Sequence, residues 1–181
     1  TEILENISAY PEIISEWAPN EKVAAEASIG ASIAGVRALT CMKHVGVNVA
    51  ADPLFTFAYT GVGGGFVVVS ADDPGMHSSQ NEQDNRNYAK HMKIAMMEPS
   101  DSQECLDMMA DAFAVSEKFD VPMMLRVTTR ICHSKSMVNL GERSEIPTIE
   151  YVKNTDKYDT IPAVSKKRRV VMAEREKRLL E

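Results

Sequence analysis

The sequence is poor in cysteine and in aromatic residues, and it has no long apolar run. Its three cysteines, Cys41, Cys105 and Cys132, lie too far apart for a zinc or iron–sulfur site and indicate a reducing compartment. No stretch of about 18 apolar residues occurs, and the first residues lack the pattern of a secretory signal. A chain of 181 residues can bury a core that needs no disulfide or metal. We therefore expect a cytoplasmic protein without a membrane segment.

Basic residues are also in the minority. The chain has 20 Lys and Arg residues against 26 Asp and Glu residues, a formal net charge of -6, which argues against a general nucleic-acid binder. The one basic run, at 166–169, is followed at once by Glu174 and Glu176. We interpret residues 164–181 as a solvated connector helix and not as a nucleic-acid site.

What the chain does contain is an alternation of helix-like and strand-like segments. The segment from Phe66 to Ser70 is apolar without alternation, as in a strand buried on both faces of a parallel sheet. The repeated order of strand, polar segment and helix predicts an α/β fold with an open, mostly parallel sheet and helices on both faces. The predicted strands are 11–17, 37–42, 66–70, 94–97 and 123–129, and the predicted helices include 1–10, 21–35, 50–60, 100–119 and 164–181.

The segment PNEKVAAEASIGASIAGVRAL, residues 19–39, is the one around which the chain is organised. Asn20 is a suitable N-cap, and Glu21 then takes the first helical position, beside the positive end of the helix dipole. One face of this helix consists almost wholly of small residues. Gly30 on that face costs about 1 kcal/mol of helix propensity relative to Ala, so we expect another element close to it. The simplest interpretation of Glu21 is a first-turn acid that only interacts with the dipole.

Two polar segments, 43–48 and 71–85, each follow a predicted strand and are predicted as loops. Ligands of parallel sheets bind outside the carboxyl ends of the strands, so we expect both segments at that edge. Their polar side chains belong to Lys43, His44, Asn48, Asp72, Asp73, His77, Ser78, Asn81 and Asp84.

Several common sites are absent or weakly supported. The glycines at 61–65 precede a strand, whereas the dinucleotide fingerprint places them after one, and neither a GK[ST] phosphate loop nor a G-x-S-x-G elbow occurs. Asp72, Asp73 and His77 have donors for a divalent ion, but Asp-Asp-Pro-Gly is first of all a turn signal. We predict no metal site in this chain.

Three blocks of the sequence occur in an order that points to a known family. They are NEKVAAEASIGASIAGVRALTCMKHVGVNVAADPL at 20–54, VVVSADDPGMHSSQNEQDNRNYAK at 67–90 and MMEPSDSQE at 96–104. Together they resemble the α-subunits of the indolepyruvate:ferredoxin oxidoreductases, and more broadly the pyrimidine-binding domain of the thiamine diphosphate-dependent 2-oxoacid:ferredoxin oxidoreductases. The resemblance covers residues 1 to about 135 and does not extend specifically to the tail.

The resemblance implies roles for particular residues. A glutamate at the position of Glu21 hydrogen-bonds N1′ of the aminopyrimidine of thiamine diphosphate, and the cofactor then acts as the electron sink. His44 and Asn48 are implied to face the cofactor. The residues implied to face substrate or a neighbouring domain are Lys43, His77, Ser78, Asn81 and Asp84.

The resemblance also implies a larger enzyme. Its reaction would be oxidative decarboxylation of an aryl 2-oxoacid, indolepyruvate in particular, to an acyl-CoA, with electrons passed to ferredoxin. We expect 1–135 to be an N-terminally truncated pyrimidine-binding domain, because the family's Tyr-Pro-Gly-Thr-Pro loop would precede Thr1, and 136–181 to be an arm and helix leading to an absent domain. The diphosphate-binding domain with its Mg²⁺ and the iron–sulfur segments would also lie outside this chain.

The implied partners are that diphosphate-binding domain, a second subunit, ferredoxin, coenzyme A and a second copy of this domain, but neither nucleic acid nor membrane. Two other interpretations of the sequence stay open. One is a non-catalytic α/β module that dimerises through the small-residue helix. The other is a non-oxidative thiamine-dependent decarboxylase or a transketolase-like enzyme.

Overall fold

The computed structural model describes residues 2–143 and 145–181, so expectations that fall on Thr1 or Ser144 lie outside the described residues. The strands are β1 Ala38–Lys43, β2 Phe66–Asp72, β3 Ala95–Met97 and β4 Met123–Thr128. The helices are α1 Glu2–Ile7, α2 Glu21–Ile33, α3 His44–Val49, α4 Ala51–Thr60, α5 Arg86–Met92, α6 Ser102–Phe119, α7 Thr129–His133, α8 Thr155–Tyr158 and α9 Pro162–Leu180.

In these described ranges the four strands form one sheet in the order β1-β2-β4-β3, and every neighbouring pair is parallel. β2 lies inside the sheet, where Val69 pairs with Cys41 of β1 on one side and with Leu125 of β4 on the other. Residues 66–69 are at most 2% exposed. The predicted parallel α/β sheet is confirmed, and the apolar run at 66–69 is buried because strands and helices cover it on all sides.

The predicted start of α2 is confirmed in detail. Asn20 has extended backbone angles, and its Oδ1 accepts a hydrogen bond of 3.0 Å from the amide of Val23. The expectation that another element lies close to Gly30 is wrong, because a Cβ atom added there would meet no described atom within 4 Å. The face that carries Val23, Ala27, Gly30 and Ala34 is exposed to solvent.

The segment predicted as a loop at 43–48 is instead mostly helix. α3 begins at His44, directly after the last residue of β1, although Lys43 provides no side-chain cap. The segment contains Gly46 and β-branched valines, which are weak helix formers. His44, Gly46 and Val47 are all buried, so tertiary packing and not intrinsic propensity stabilises this helix.

Two predictions near other helices are also wrong. No strand forms at 11–17, where Ile13, Ile14 and Trp17 are exposed and no neighbouring strand is available to pair with them. The helix predicted at 100–119 begins two residues later, at Ser102, because Asp101 is its N-cap and Asp101 Oδ1 accepts a 2.8 Å hydrogen bond from the amide of Glu104.

The interpretation of α9 as a solvated helix is wrong for one of its faces. This helix packs against α4 and α6, and Met172 and Arg175 are only 2% and 1% exposed. Arg175 Nη1 donates to the carbonyl of Ala58 at 2.8 Å, and Arg168 Nε donates to the carbonyl of Tyr59 at 2.9 Å. The two arginines therefore satisfy carbonyl groups in the last turn of α4, which lack partners within that helix.

The carboxylate of Asp120 makes several of the contacts between this C-terminal arm and the sheet domain. Asp120 follows α6 in the left-handed backbone region, with φ of 55°. It pairs with Lys157 at 2.8 Å, Arg175 at 3.2 Å and Arg168 at 3.3 Å, and it also accepts from the amide of Val62 at 2.9 Å. Among the described residues, no helix is both long and apolar enough to cross a bilayer.

Candidate functional site at the carboxyl edge of the sheet

The two polar segments predicted at the carboxyl edge lie against each other. Lys43 Nζ donates a 2.8 Å hydrogen bond to the carbonyl of Ser78, and His44 Nε2 lies 3.0 Å from the carbonyl of Asn81. A carbonyl can only accept, so Nε2 of His44 carries the proton. The loop at 73–85 therefore lies across the start of α3.

A buried ion pair holds the strand ends beneath this loop. Asp72, only 2% exposed, accepts from Arg126 Nε at 2.8 Å, from the amide of Asn85 at 3.0 Å and, through its other oxygen, from Ser70 Oγ at 2.7 Å. Arg126 also pairs with Glu98 at 2.5 Å. These contacts join β2, β4 and the end of the loop, and they compensate the cost of burying both charges.

Sequence reasoning singled out Asp72 but missed its partners. The sequence contains one indication of the ion pair: Arg126 is a charged residue inside the apolar strand β4, and such a residue needs a buried partner. Asn85 and Ser70 carry no comparable signal. Their hydrogen bond of 2.7 Å depends on how the loop closes over the sheet.

Asp73 organises the loop itself. Its carboxylate accepts from Thr129 Oγ1 at 2.6 Å, from Ser79 Oγ at 2.7 Å and from the amides of Ser78 and His77 at 2.8 and 3.2 Å. These hydrogen bonds, with that of Ser79 the strongest, hold the pKa of Asp73 well below its usual range. Because the oxygens of Asp73 are engaged in this way, the geometry disfavours the divalent-ion interpretation of Asp72, Asp73 and His77.

The other predicted substrate-facing residues lie on the outside of the loop or beside it. His77 and Asn81 are exposed, and Oδ1 of Asn81 accepts from Gln83 Nε2 at 2.9 Å. Asp84 pairs with Arg86 at 2.9 Å, and the hydrogen bond from that guanidinium lowers the pKa of Asp84. Contacts within the domain therefore already orient the side chains of Asn81 and Asp84.

The two residues predicted to face the cofactor differ in exposure. Asn48, at the end of α3, is exposed, and its Oδ1 accepts a 2.6 Å hydrogen bond from the hydroxyl of Tyr88. His44 is fully buried, and its Nδ1 has no hydrogen-bond partner among the described residues. The imidazole of His44 therefore fixes the loop at 73–85 to α3, whereas Asn48 presents its amide at the surface.

Glu21 lies at the same edge, packed against α3. A Cβ atom added at Gly46 would come within 2.6 Å of Glu21 Cγ and 3.0 Å of its Cδ, so only glycine leaves room for this side chain. The residue is partly buried, and no described group donates a hydrogen bond or pairs with its carboxylate. The structure therefore presents a sterically positioned carboxylate with free oxygens at the start of α2.

Two surface clefts lie to either side of this region. One of about 280 Å³ runs between α2, α4 and the arm, and one of about 510 Å³ lies beyond the ends of β3 and β4. Neither cleft is lined by Glu21. Among the described residues, no group of three or more His, Cys, Asp or Glu side chains is arranged to hold a metal ion.

The sequence of this chain is similar to a family of known proteins. Residues 5–176 match the family model described as pyruvate flavodoxin/ferredoxin oxidoreductase, thiamine diphosphate-binding. The chain is 51% identical over 162 residues to indolepyruvate oxidoreductase subunit IorA of Archaeoglobus fulgidus, covering 88% of this chain and 26% of that protein. It is 45% identical over 178 residues to the subunit of the same name from Methanothermobacter marburgensis, covering 98% of this chain and 29% of that protein.

A solved structure shows the same fold. It is the 2-oxoglutarate:ferredoxin oxidoreductase of Magnetococcus marinus with 2-oxoglutarate, coenzyme A and succinyl-CoA bound. The TM-score is 0.73 at 15% sequence identity, and the match covers 99% of this chain and 40% of that chain. The chain thus spans between a quarter and a third of the length of the two curated relatives.

Proposed function

The chain belongs to the pyruvate flavodoxin/ferredoxin oxidoreductase, thiamine diphosphate-binding family, and from this premise we propose that it binds the aminopyrimidine half of thiamine diphosphate at Glu21. The observation that carries the proposal is the contact between Glu21 and Gly46, which fixes the carboxyl group against α3 while its oxygens stay free. A ring nitrogen of the cofactor's aminopyrimidine would share a proton with this carboxyl group, a partner that the described residues do not provide.

The residues at this edge fit the group. Thiamine diphosphate, when bound, supplies the electron sink for decarboxylation of a 2-oxoacid. Glu21 would hold a proton shared with a pyrimidine nitrogen, and its partial burial strengthens that hydrogen bond relative to one in water. The start of α2 stabilises negative charge on the carboxylate. The buried Asp72–Arg126 pair keeps the strand ends, and with them the base of α3, in one geometry.

We also propose the activity of the whole protein from its relatives. The protein would oxidatively decarboxylate an aryl 2-oxoacid such as indolepyruvate to an acyl-CoA and pass the electrons to ferredoxin, in the cytoplasm. The names of the curated relatives support this substrate. Residues 1–135 would form the pyrimidine-binding unit, and 136–181 would lead to a further domain. A diphosphate-binding domain with Mg²⁺, a second subunit and iron–sulfur clusters would complete the enzyme.

The loop at 73–85 has a proposed role in the same site. His77, Ser78, Asn81 and Asp84 would meet the substrate or the diphosphate-binding domain, together with Lys43. The hydrogen bond from Lys43 to the carbonyl of Ser78 supports a wall that is already formed before the partner docks. Asn48 would contact the cofactor directly, and His44 would hold the loop behind it.

Contact with a second copy of this domain is a further candidate function. The exposed face of α2 at Val23, Ala27, Gly30 and Ala34 supports it, because small side chains allow two backbones to approach closely. A homodimer formed through this face should dissociate in the Gly30→Leu variant. Analytical ultracentrifugation of wild type and variant measures this, and equal dimer affinities would remove the proposal.

The central test replaces Glu21 by Gln in the assembled enzyme. We expect kcat/KM with 2-oxoacid and ferredoxin to fall at least about 100-fold, because general acid–base groups typically contribute 10²–10⁴-fold. Glu26→Gln is the matched control, since Glu26 lies on the same helix, is exposed and makes only a surface ion pair of 3.9 Å with Lys22. Unchanged turnover in the Glu21→Gln enzyme would remove the proposed mechanism.

A further inference from the structure

Asn85 is a buried residue whose hydrogen bonds have no part in the proposed chemistry at Glu21. It lies directly before α5 and is fully buried. Its Nδ2 donates to Ser70 Oγ of β2 at 2.7 Å and to the main-chain carbonyl of His44 at 3.4 Å. One side chain therefore joins the start of α5 to an inner strand of the sheet and to the first residue of α3.

Two further contacts hold the same face of α3. His44 Nε2 donates to the carbonyl of Asn81 at 3.0 Å. The hydroxyl of Tyr88, on α5, donates to Asn48 Oδ1 at 2.6 Å. His44 and Asn48 are four residues apart, so their side chains lie on one face of the helix. The loop and α5 are therefore fixed to this face of α3 at three points, with Asn85 in the middle.

The opposite face of α3 contacts Glu21. Successive residues of a helix are rotated by about 100°, so Gly46 lies about 200° from His44 and faces the other way. A Cβ atom added at Gly46 would come within 2.6 Å of Glu21 Cγ. α3 has only six residues and no side-chain cap, so it depends on its neighbours for its position. The hydrogen bonds on the first face therefore help to set how closely Gly46 approaches Glu21.

The contact between Asn85 and His44 is not one that stability alone favours. Oδ1 of Asn85 and Nδ1 of His44 are both buried and have no hydrogen-bond partner in the part of the chain that the structure describes. A buried acceptor without a donor destabilises the folded state, whereas apolar groups of the same shape would be nearly neutral. Two such acceptors at one junction indicate a place where geometry serves function.

We propose that Asn85 is a positioning residue, which holds α3 so that Gly46 keeps the Glu21 carboxylate in place. This role rests on the proposed function of Glu21. Asn85 contacts neither cofactor nor substrate in this proposal, because it acts through the main chain of α3. The carbonyl of Asn81 and the hydroxyl of Tyr88 support the same face of the helix.

The kinetic test compares Asn85→Ala with wild type in the assembled enzyme. The variant loses the Nδ2 donors that hold α3, and misplacement of a catalytic group by about 1 Å can cost about 100-fold in rate. We expect kcat to fall at least about tenfold, and the KM for the 2-oxoacid to stay within about twofold, because Glu21 acts on the cofactor. Asn87→Ala is the matched control, since Asn87 is exposed on the same helix and its side chain makes no hydrogen bond with the described residues.

A double variant tests the route through Glu21. If Asn85 acts through that carboxylate, Asn85→Ala should cause little further loss of kcat in a Glu21→Gln background. Tyr88→Phe is a milder change at the end of the same face and should lower kcat about two- to tenfold, so it replaces Asn85→Ala if that variant does not fold. Fully additive losses, or wild-type kcat in every folded single variant, would overturn the proposal.

Hydrogen exchange provides a readout that needs no turnover. We expect the amides of α3 to exchange faster in Asn85→Ala than in wild type, and those of α6 to be unchanged. Unchanged exchange in α3 would also overturn the proposal. A loss of turnover in Glu21→Gln but not in Asn85→Ala would overturn this inference alone, whereas wild-type turnover in Glu21→Gln would overturn the proposed function and the inference with it.

Discussion

Replacing Gly46 by Ala tests whether steric contact with α3 positions the catalytic carboxylate. By helix propensity alone this change should stabilise α3 by about 1 kcal/mol. The new Cβ, however, would lie 2.6 Å from Glu21 Cγ and 3.0 Å from Met42 Cβ. Carbon atoms normally approach to about 3.5–4.0 Å, so close to 1 Å of movement is required. The Met42 Cβ is fixed to the backbone of β1, so the Glu21 side chain is the group that moves.

The expected effect is large on catalysis and small on stability. A displacement of about 1 Å in a catalytic group can cost about 100-fold in rate, equivalent to about 2.7 kcal/mol of transition-state stabilisation. The strain of overpacking, about 1–3 kcal/mol, is partly offset by the gain in helix propensity. We therefore expect kcat/KM of the assembled Gly46→Ala enzyme to fall about 100-fold, while denaturant unfolding reports a loss of at most about 2 kcal/mol.

A control and a double variant separate this explanation from general damage. Gly141→Ala adds a Cβ that meets no described atom within 4 Å and should leave both measurements unchanged. If Gly46→Ala acts through Glu21, it should cause little further loss in a Glu21→Gln background. Wild-type kcat/KM in the single variant, or fully additive losses in the double variant, would refute the reasoning.

Two further predictions concern the loop and the arm. Asp73→Asn should lower the free energy of unfolding at neutral pH, because four hydrogen-bond donors of the folded domain bind the ionised carboxylate and lower its pKa. The difference in free energy of unfolding between wild type and Asp73→Asn should be largest above about pH 3.9, the pKa of an unperturbed Asp, and should disappear as the pH falls through the lowered pKa of the folded state. Urea unfolding at pH 7 and in strong acid measures this difference, and equal values at the two pH values would contradict the prediction. Asp120→Asn should destabilise the domain by about 2 kcal/mol and make α9 sensitive to limited proteolysis, because the buried Arg175 loses its charged partner. The control is Asp111→Asn on the exposed face of α6, and identical digestion patterns for the two variants would exclude this role of Asp120.

The parts of the fold that were predictable have local signals. Asn20 caps α2 through a hydrogen bond within one turn, and the apolar run of β2 reports burial on both faces. Parallel topology then places the ends of β1 and β2 at one edge, which is why the polar segments after them were expected together. Each of these inferences uses residues close in sequence or a general rule of sheet geometry.

The parts that were not predictable depend on distant contacts. α3 forms against the propensity of its glycine and valines because the sheet and α2 bury it, and residues 11–17 stay irregular because no strand pairs with them. The charge pattern of α9 predicts a solvated helix. Arg175 is nevertheless buried, because its guanidinium donates to a carbonyl of α4 that lies 117 positions earlier in the chain. In the candidate site, the orientation of His44 also depends on a distant contact, the carbonyl of Asn81, which no pattern of side chains in the sequence predicts.

The arginine contacts of α9 have a consequence for the order of events during synthesis. The carbonyls at the end of α4 and the carboxylate of Asp120 receive donors from Arg168 and Arg175, which the ribosome adds 40 and 47 residues after Thr128, the end of β4. At about 5–20 residues per second, the nascent sheet passes through an interval of a few seconds in which these acceptors are solvated only by water. The acceptors on α4 and Asp120 therefore gain these donors only after α9 has emerged, when all four strands of the sheet have already been synthesised.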